Sequence, residues 1–91
     1  MEKFTIAERY TNENETPIQV GDKIKIISSA EFKAQNVKFH DQELLEKLAG
    51  NFYKVKDIKH WAGIFVYYCT DVNENEVPIQ FVDSDIEYVL R

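Results

Sequence analysis

Alternation of apolar and polar positions predicts short β-strands along most of this chain. The segment IFVYYCTDV is rich in β-branched and aromatic residues, as strands are. Ala62 and Gly63 precede it and would close a hairpin with the strand before. A further turn or bulge is predicted at Gly21-Asp22. The predicted strands cover residues 4–10, 18–27, 52–60 and 64–72, and residues 79–90 supply one or two more.

One segment has helical periodicity instead. Asp41 is a suitable N-cap, and Gly50 suits the left-handed position that ends a helix. We therefore expect one short inserted helix at about residues 41–49, and one further helical turn within residues 28–39, capped by Ser28 or Ser29. The apolar stripe of the main helix is formed by Leu44, Leu45 and Leu48.

The stretch NENETPIQVGD at residues 12–22 recurs as NENEVPIQFVD at residues 73–83, with eight of eleven positions identical. Each copy lies between two predicted strands, where Asn favours a turn and Pro begins the next strand. Two explanations stay open: a hairpin turn used twice, or the remnant of a duplication. A calcium site is disfavoured, because the acidic spacing of a calcium loop is missing.

Length and composition indicate one globular domain over residues 1–91, with 44% hydrophobic residues. No apolar run approaches the length of a membrane span, and the first residues do not resemble a signal peptide. Cys69 is the only cysteine, which rules out an intramolecular disulfide. We therefore expect a cytoplasmic protein without membrane association.

The net charge of −5 is unevenly distributed. Residues 1–22 hold five acids and two bases, residues 23–60 hold five acids and eight lysines, and residues 61–91 hold six acids and one arginine. The overall acidity disfavours broad nucleic-acid binding, which needs a basic surface. The lysine-rich middle keeps a local version of that function open.

Catalytic and metal-binding patterns are weak, so we expect no enzyme, no metal and no cofactor. Cys69 lies in mid-strand and is predicted to be a buried packing residue. His40 and His60 do not complete a zinc motif with it. In DSDIE, strict alternation would place Asp83, Asp85 and Glu87 on one solvated strand face.

The aromatic residues are more informative, because tyrosine and tryptophan are favoured at binding surfaces. The predicted contact patch is Tyr10, Trp61 and Tyr67; the alternative for Trp61 is a cap over an open barrel end. Both faces of residues 64–72 are apolar, so this strand is either covered twice or lines a groove.

Lysines alternate with aromatic residues in the same region, a pattern that can bind phosphates and stack on bases. For Lys54, Lys56 and Lys59 we favour another explanation, an edge strand protected from aggregation by lysine. The residues of the nucleic-acid alternative are Lys23, Lys25, Lys54, Lys56 and Lys59.

Four segments resemble SH3-like small barrels of bacterial and phage proteins: VGDKIKII (20–27), LAGNFYKVKDI (48–58), IFVYYCTDV (64–72) and FVDSDIEYVL (81–90). The resemblance covers residues 18–90 and implies a small antiparallel barrel of five to six strands that binds peptides or nucleic acid. The helical insert and the extra N-terminal strand depart from the pattern and leave open where the usual groove would lie.

The expected function is a non-catalytic protein-interaction or accessory module of a bacterium, encoded by a phage or mobile element, with an unknown protein or peptide as partner. The first alternative is a nucleic-acid-associated barrel that uses the lysines. The second is an acidic mimic of nucleic acid that inhibits a basic protein.

Overall fold

The computed structural model describes residues 2–36 and 41–91, and within these ranges it is mainly β, as predicted. Six strands form one sheet, in which every neighbouring pair is antiparallel. The strands are β1 Lys3–Phe4, β2 Lys23–Ile26, β3 Phe52–Trp61, β4 Ile64–Thr70, β5 Phe81–Val82 and β6 Ile86–Leu90. The helices are α1 Ile6–Arg9, α2 Ser29–Asn36 and α3 Gln42–Leu48, and a 3-10 turn spans Asp83–Asp85.

The strand order β1-β6-β2-β3-β4-β5 forces the sheet to curl. Strands β5 and β6 are four positions apart, which is about 19 Å across a flat sheet with a spacing of about 4.8 Å. Only the 3-10 turn separates them in the chain, and its rise of about 2 Å per residue spans about 8 Å. The sheet therefore wraps around its inner side. Among the described residues β1 and β5 do not pair with each other, so the sheet is open and the predicted closed barrel is not confirmed.

The inner side of the curled sheet and the two inserted helices enclose one apolar core. Phe32 of α2 and Leu45 of α3 are fully buried. The Phe81 ring lies between two others, with centroids 6.0 Å from Phe32 and 5.4 Å from Tyr53. The sheet contributes further fully or almost fully buried side chains: Phe4, Ile24, Ile26, Val55, Tyr67 and Val89.

The helix predicted at about residues 41–49 is confirmed as α3. The Asp41 carboxylate accepts a hydrogen bond from the Glu43 N–H at 3.0 Å, and Gly50 has a φ of 71° just after the helix. The expectation of a single inserted helix is wrong, because α2 runs for eight residues, Ser29–Asn36. Helix α2 packs on the core because its Phe32 side chain is fully buried there. The predicted continuation to residue 39 lies outside the described residues.

The strand predicted at residues 4–10 is wrong beyond Phe4. The Thr5 hydroxyl accepts a hydrogen bond from the Glu8 N–H at 3.2 Å, and this cap begins α1. The strand predicted from residue 18 starts only at Lys23, because the Asp22 N–H donates to the Gln19 carbonyl at 3.0 Å and forms the predicted turn. Local hydrogen bonds compete successfully with the sheet in both segments.

Strands β3 and β4 form the predicted hairpin. Ala62 and Gly63 have φ values of 53° and 76°, and a two-residue type I′ turn requires positive φ at both positions. The register shifts by one residue between Val55 and Asp57, as in a β-bulge. Residues after the shift therefore change faces relative to a regular strand, which places Trp61 on the outer side of the sheet.

The prediction that β3 is an edge strand is wrong for its first half. Residues 52–54 pair with β2 on one side, and Lys54 pairs with β4 on the other. Beyond Val55, β3 pairs only with β4 among the described residues, so edge protection applies only to Lys56 and Lys59. The Asp57 carboxylate also accepts a hydrogen bond from the Ile58 N–H at 2.9 Å, which satisfies one backbone donor in this half of β3.

The two NENE segments use the same turn chemistry in different places. In the first copy the Asn12 side chain accepts the Asn14 N–H at 2.8 Å. In the second, the equivalent acceptor is Asp71, two residues before the repeat begins, which binds the Asn73 N–H at 2.9 Å. The first copy links α1 to β2 and is not a hairpin between two strands, contrary to prediction. This two-residue offset favours recurrent turn chemistry over duplication; the shared feature is a buried isoleucine, Ile18 or Ile79.

The acids of DSDIE do not share one strand face, contrary to prediction. Asp83 and Asp85 belong to the 3-10 turn, and only Glu87 lies on β6. Asp85 is 2% exposed; its carboxylate accepts the Val82 N–H at 3.0 Å and the Asn36 side-chain N–H at 3.2 Å. Alternation fails here because the chain turns before β6 begins.

Tyr67 connects three distant segments inside the core. Its hydroxyl donates to the Asp83 carboxylate at 2.6 Å and accepts from the Thr16 hydroxyl at 2.7 Å. Burial, and then the hydrogen bond to Asp83, raise the pKa of Tyr67 above its ordinary value. The phenol is therefore neutral and serves as a fixed link between the loop before β2, strand β4 and the 3-10 turn.

We expect Tyr67→Phe to lower the free energy of unfolding by about 1–2 kcal/mol, because it removes both hydrogen bonds and keeps the ring. Urea denaturation measures the change. The neighbouring Tyr68→Phe is the matched control, since Tyr68 is partly exposed on the other side of the same strand; we expect it to change stability by less than about 0.5 kcal/mol. Equal effects of the two substitutions would contradict the role given to Tyr67.

Candidate functional site

Cys69 is a packing residue, as predicted. Its side chain is 3% exposed, and burial raises the pKa of its thiol to about 12. A thiol in this environment stays protonated at neutral pH and is a poor nucleophile. Cys69 lies opposite Val55, whereas His60 lies opposite Phe65, four residues or about 13 Å further along β4. His60 therefore does not contact the Cys69 thiol, and His40 lies outside the described residues.

The carboxylates also do not converge. Within residues 2–36 and 41–91, no three His, Cys, Asp or Glu side chains come together in a way that would hold a metal ion. Asp22, which is 4% exposed, is instead bound by Arg91, whose guanidinium donates to both carboxylate oxygens at 2.9 Å and 3.0 Å. The buried acids of the described chain thus carry structural hydrogen bonds.

The outer side of the sheet brings lysines and aromatic rings together. Residues directly opposite each other across paired strands point to the same side. Lys3 lies opposite Leu90, Leu90 opposite Lys23, and Lys23 opposite Lys54. We call Lys3, Lys23 and Lys54 the basic row.

A second row lies beside the basic row and alternates aromatic and basic side chains. Lys25 is opposite Tyr88 on one side and Phe52 on the other. The two rings meet edge to face at 5.9 Å, and the Lys25 ammonium lies 5.6 Å from each ring centroid. The Lys3 ammonium lies 4.2 Å from the Tyr88 centroid. We call Tyr88, Lys25 and Phe52 the aromatic row.

The lysines of the outer side differ in their partners. Lys25 lies 3.4 Å from Glu87, and Lys56 contacts Glu76. Neither Lys23 nor Lys54 forms an ion pair with any acid in the described parts of the chain. Lys59 lies further along β3, with its ammonium 5.9 Å from the Tyr68 centroid. Of the five lysines of the nucleic-acid alternative, the structure therefore places Lys23, Lys25 and Lys54 side by side, Lys56 beyond them at the register shift and Lys59 farther along.

A cleft of about 650 Å³ opens beside the basic row. Lys23, Lys54 and Lys56 line it together with Phe52, and Val20 and Val72 contribute exposed apolar surface. A second cleft of about 550 Å³ shares Phe52 and Val72 with the first and continues towards α3. These volumes are those of small-ligand sites.

The tip of the β3–β4 hairpin carries a separate apolar patch. Trp61 and Ile64 are opposite each other and are 64% and 52% exposed. Trp61 is therefore exposed and does not cap the end of the sheet, so the capping alternative is wrong. A Cβ placed on Gly63 would lie 3.9 Å from the Glu13 carboxylate, so the acidic turn at residues 12–15 reaches this tip.

The three residues of the predicted contact patch do not form one surface. Tyr67 is fully buried, because its position on β4 faces the core, so its assignment to the patch is wrong. Tyr10 is 57% exposed but follows α1, and its ring does not stack on that of Trp61. The outer side of β4 is neither a second core nor a deep groove: Val66 and Tyr68 are only partly covered.

Sequence reasoning missed Lys3, Ile64 and Val72 as surface residues, and it did not assign Phe52 or Tyr88 to the candidate site. Alternation around Lys23 and Lys25 did indicate an outward-facing lysine side. The opposition of Lys23 to Lys54 and of Lys25 to both rings depends on strand order and register. No local signal in the sequence specifies those pairings.

We expect Cys69 to resist alkylation by iodoacetamide at neutral pH in the native protein and to react readily in urea. The protonated, buried thiol lacks both access and nucleophilicity. Mass spectrometry of the labelled protein measures the reaction. Rapid labelling under native conditions would contradict the packing role of Cys69.

No helix in residues 2–36 or 41–91 combines the length and the apolar character needed to cross a membrane. No protein-family model, curated protein or solved structure matches this chain.

Proposed function

We propose that this protein is a non-catalytic protein-interaction module that binds its partner through the tip of the β3–β4 hairpin. The exposed pair Trp61 and Ile64 is the observation that supports this function. Tryptophan is enriched among the residues that dominate binding energy at protein interfaces. The two-residue turn of Ala62 and Gly63 presents both side chains at the tip of the hairpin.

The size of this patch limits what it can do alone. Burying both side chains would remove on the order of 250 Å² of apolar surface from water, worth about 6 kcal/mol at about 25 cal/mol/Å². Association itself costs at least about 4 kcal/mol. The tip is therefore an anchor that needs polar contacts around it to give a stable complex.

The acidic turn beside the tip supplies such contacts. Glu13 and Glu15 are exposed in this turn, and the Glu13 carboxylate approaches Gly63. This arrangement fits a partner with an apolar pocket for the indole and basic groups at its rim. From the acidic-mimic alternative we keep only one element, which is that acids of this chain contact basic groups of the partner.

The SH3-like barrel remains our proposal for the fold family, supported by the strong curl of the sheet and by the short turn between β5 and β6. The buried, unpaired thiol of Cys69 supports a reducing cytoplasm as the compartment. Origin in a bacterium or phage is proposed from the sequence resemblance alone.

Trp61 is the only tryptophan of the chain, so its fluorescence reports directly on the proposed contact. We expect emission typical of solvated indole and efficient quenching by acrylamide in the free protein. Addition of the partner should shift the emission to shorter wavelength and protect it from the quencher, because the indole leaves water.

Partners are first identified by affinity capture with wild-type protein, Trp61→Ala and Val72→Ala. Val72 is 89% exposed and lies beyond the end of β4 that is opposite the tip, so its substitution is a control for loss of exposed apolar surface away from the tip. We expect Trp61→Ala to weaken capture at least tenfold with unchanged thermal stability, and Val72→Ala to have no effect on it. Retention of every partner by Trp61→Ala would contradict the proposal.

A further inference from the structure

Two lysines stand directly opposite each other on the outer side of the sheet, with no acid between them. Lys23 on β2 is the cross-strand partner of Lys54 on β3. The Val55 N–H donates to the Asp22 carbonyl at 2.8 Å, and the Ile26 N–H donates to the Asn51 carbonyl at 2.9 Å. These bonds lie one and three positions away, so the alternation of an antiparallel ladder makes Lys23 and Lys54 a non-hydrogen-bonded pair.

In such a pair the Cα atoms are only about 4.5 Å apart and the side chains are at their closest. Like charges placed directly opposite each other destabilise a sheet. Other lysines of this chain are paired with acids: Lys25 forms an ion pair with Glu87, and Lys56 forms one with Glu76. The Lys23–Lys54 pair therefore has an electrostatic cost that a bound anion would offset.

The surroundings extend this pair into a surface that fits a chain of phosphates and bases. Lys3 continues the basic row two strands away, about 10 Å from Lys23 at ordinary strand spacing. Phe52 is 37% exposed and lines the cleft together with Lys23 and Lys54, and its ring meets that of Tyr88 edge to face. A mononucleotide would span only part of this row.

Two acids also line the cleft, Asp71 and Glu74. The Asp71 carboxylate is engaged by the backbone N–H groups of Asn73 and Asn75, at 2.9 Å and 3.0 Å, which offset part of its charge. Lys56, which also lines the cleft, is paired with Glu76, so the unpaired positive charge of the cleft lies on Lys23 and Lys54. These two lysines are therefore the feature that attracts an anion, although the whole chain is acidic.

We propose that the basic row and the adjoining cleft bind single-stranded nucleic acid, with Lys23 and Lys54 on the phosphates and Phe52 stacked on a base. Base stacking and lysine contacts to phosphates are the usual combination in single-strand binding. This site is independent of the hairpin tip, since Trp61 lies seven residues along β3 from Lys54, roughly 23 Å in an extended strand.

The test uses fluorescence anisotropy with a labelled oligothymidylate of about 12 nucleotides and an oligouridylate of the same length, at low and moderate salt. The decisive variant is Lys54→Glu. It places a carboxylate opposite Lys23, so we expect the thermal midpoint to rise or stay constant while oligonucleotide affinity falls at least tenfold. Because the fold is not weakened, loss of binding cannot be attributed to unfolding.

Further variants separate the contributions. Lys23→Ala/Lys54→Ala should reduce the salt slope of log affinity by about 1.4, at about 0.7 for each lost phosphate contact. Phe52→Leu should weaken binding severalfold without changing that slope, because stacking carries no counterion term. Lys33→Ala, at a lysine of α2 that lines neither cleft, is the control and should bind as wild type does.

The proposal fails if the oligonucleotides do not bind at low salt, or if Lys54→Glu binds them as tightly as wild type. Equal binding of a polyglutamate peptide would also overturn it, because the site would then recognise negative charge without bases. Trp61→Ala should leave oligonucleotide affinity unchanged, so this inference and the proposed protein-interaction function can fail separately.

Discussion

The 3-10 turn Asp83–Asp85 is the constraint on which the rest of the structure depends. It joins β5 to β6, which lie four positions apart in the strand order, so the sheet must curl around the core. The buried carboxylate of Asp85 binds the Val82 N–H and the Asn36 side chain, and the Asp85 carbonyl accepts the Ile27 N–H at 3.0 Å. One short segment thereby ties together β5, the chain after β2 and helix α2. Such buried polar contacts are costly to disrupt, because each group left without its partner keeps its desolvation penalty.

The curl also decides how the chain divides its chemistry between two sides. The inner side takes apolar residues from every strand, together with a neutral tyrosine and a protonated thiol. The outer side receives lysines and aromatic rings from five strands, β1, β2, β3, β4 and β6. The one-residue register shift after Val55 adds Trp61 to this outer side. The same sheet thus carries two separate exposed surfaces, one apolar at the hairpin tip and one basic near its middle.

Prediction from the sequence succeeded where one local rule dominated. Helix α3 was identifiable from Asp41 and Gly50, and the β3–β4 hairpin from Ala62 and Gly63, because caps and tight turns act over a few residues. It failed where local rules conflicted. Thr5 began a helix where alternation favoured a strand, and alternation through DSDIE missed a turn held by Asp85. The repeated NENE segment showed that identical residues need not occupy equivalent positions in a turn.

The sequence by itself determined that the chain is mainly β and that Cys69 packs inside, since both follow from strand propensity. It left open whether Trp61 is exposed or covers a barrel end. Only the tertiary structure decided which residues meet. Tyr67 and Tyr68 are adjacent tyrosines, yet Tyr67 is buried and forms two hydrogen bonds, whereas Tyr68 faces outward. Lys23 and Lys54 are 31 positions apart and become direct neighbours through the register of β2 and β3. Strand order and register arise from the whole core at once, so a linear pattern cannot specify them.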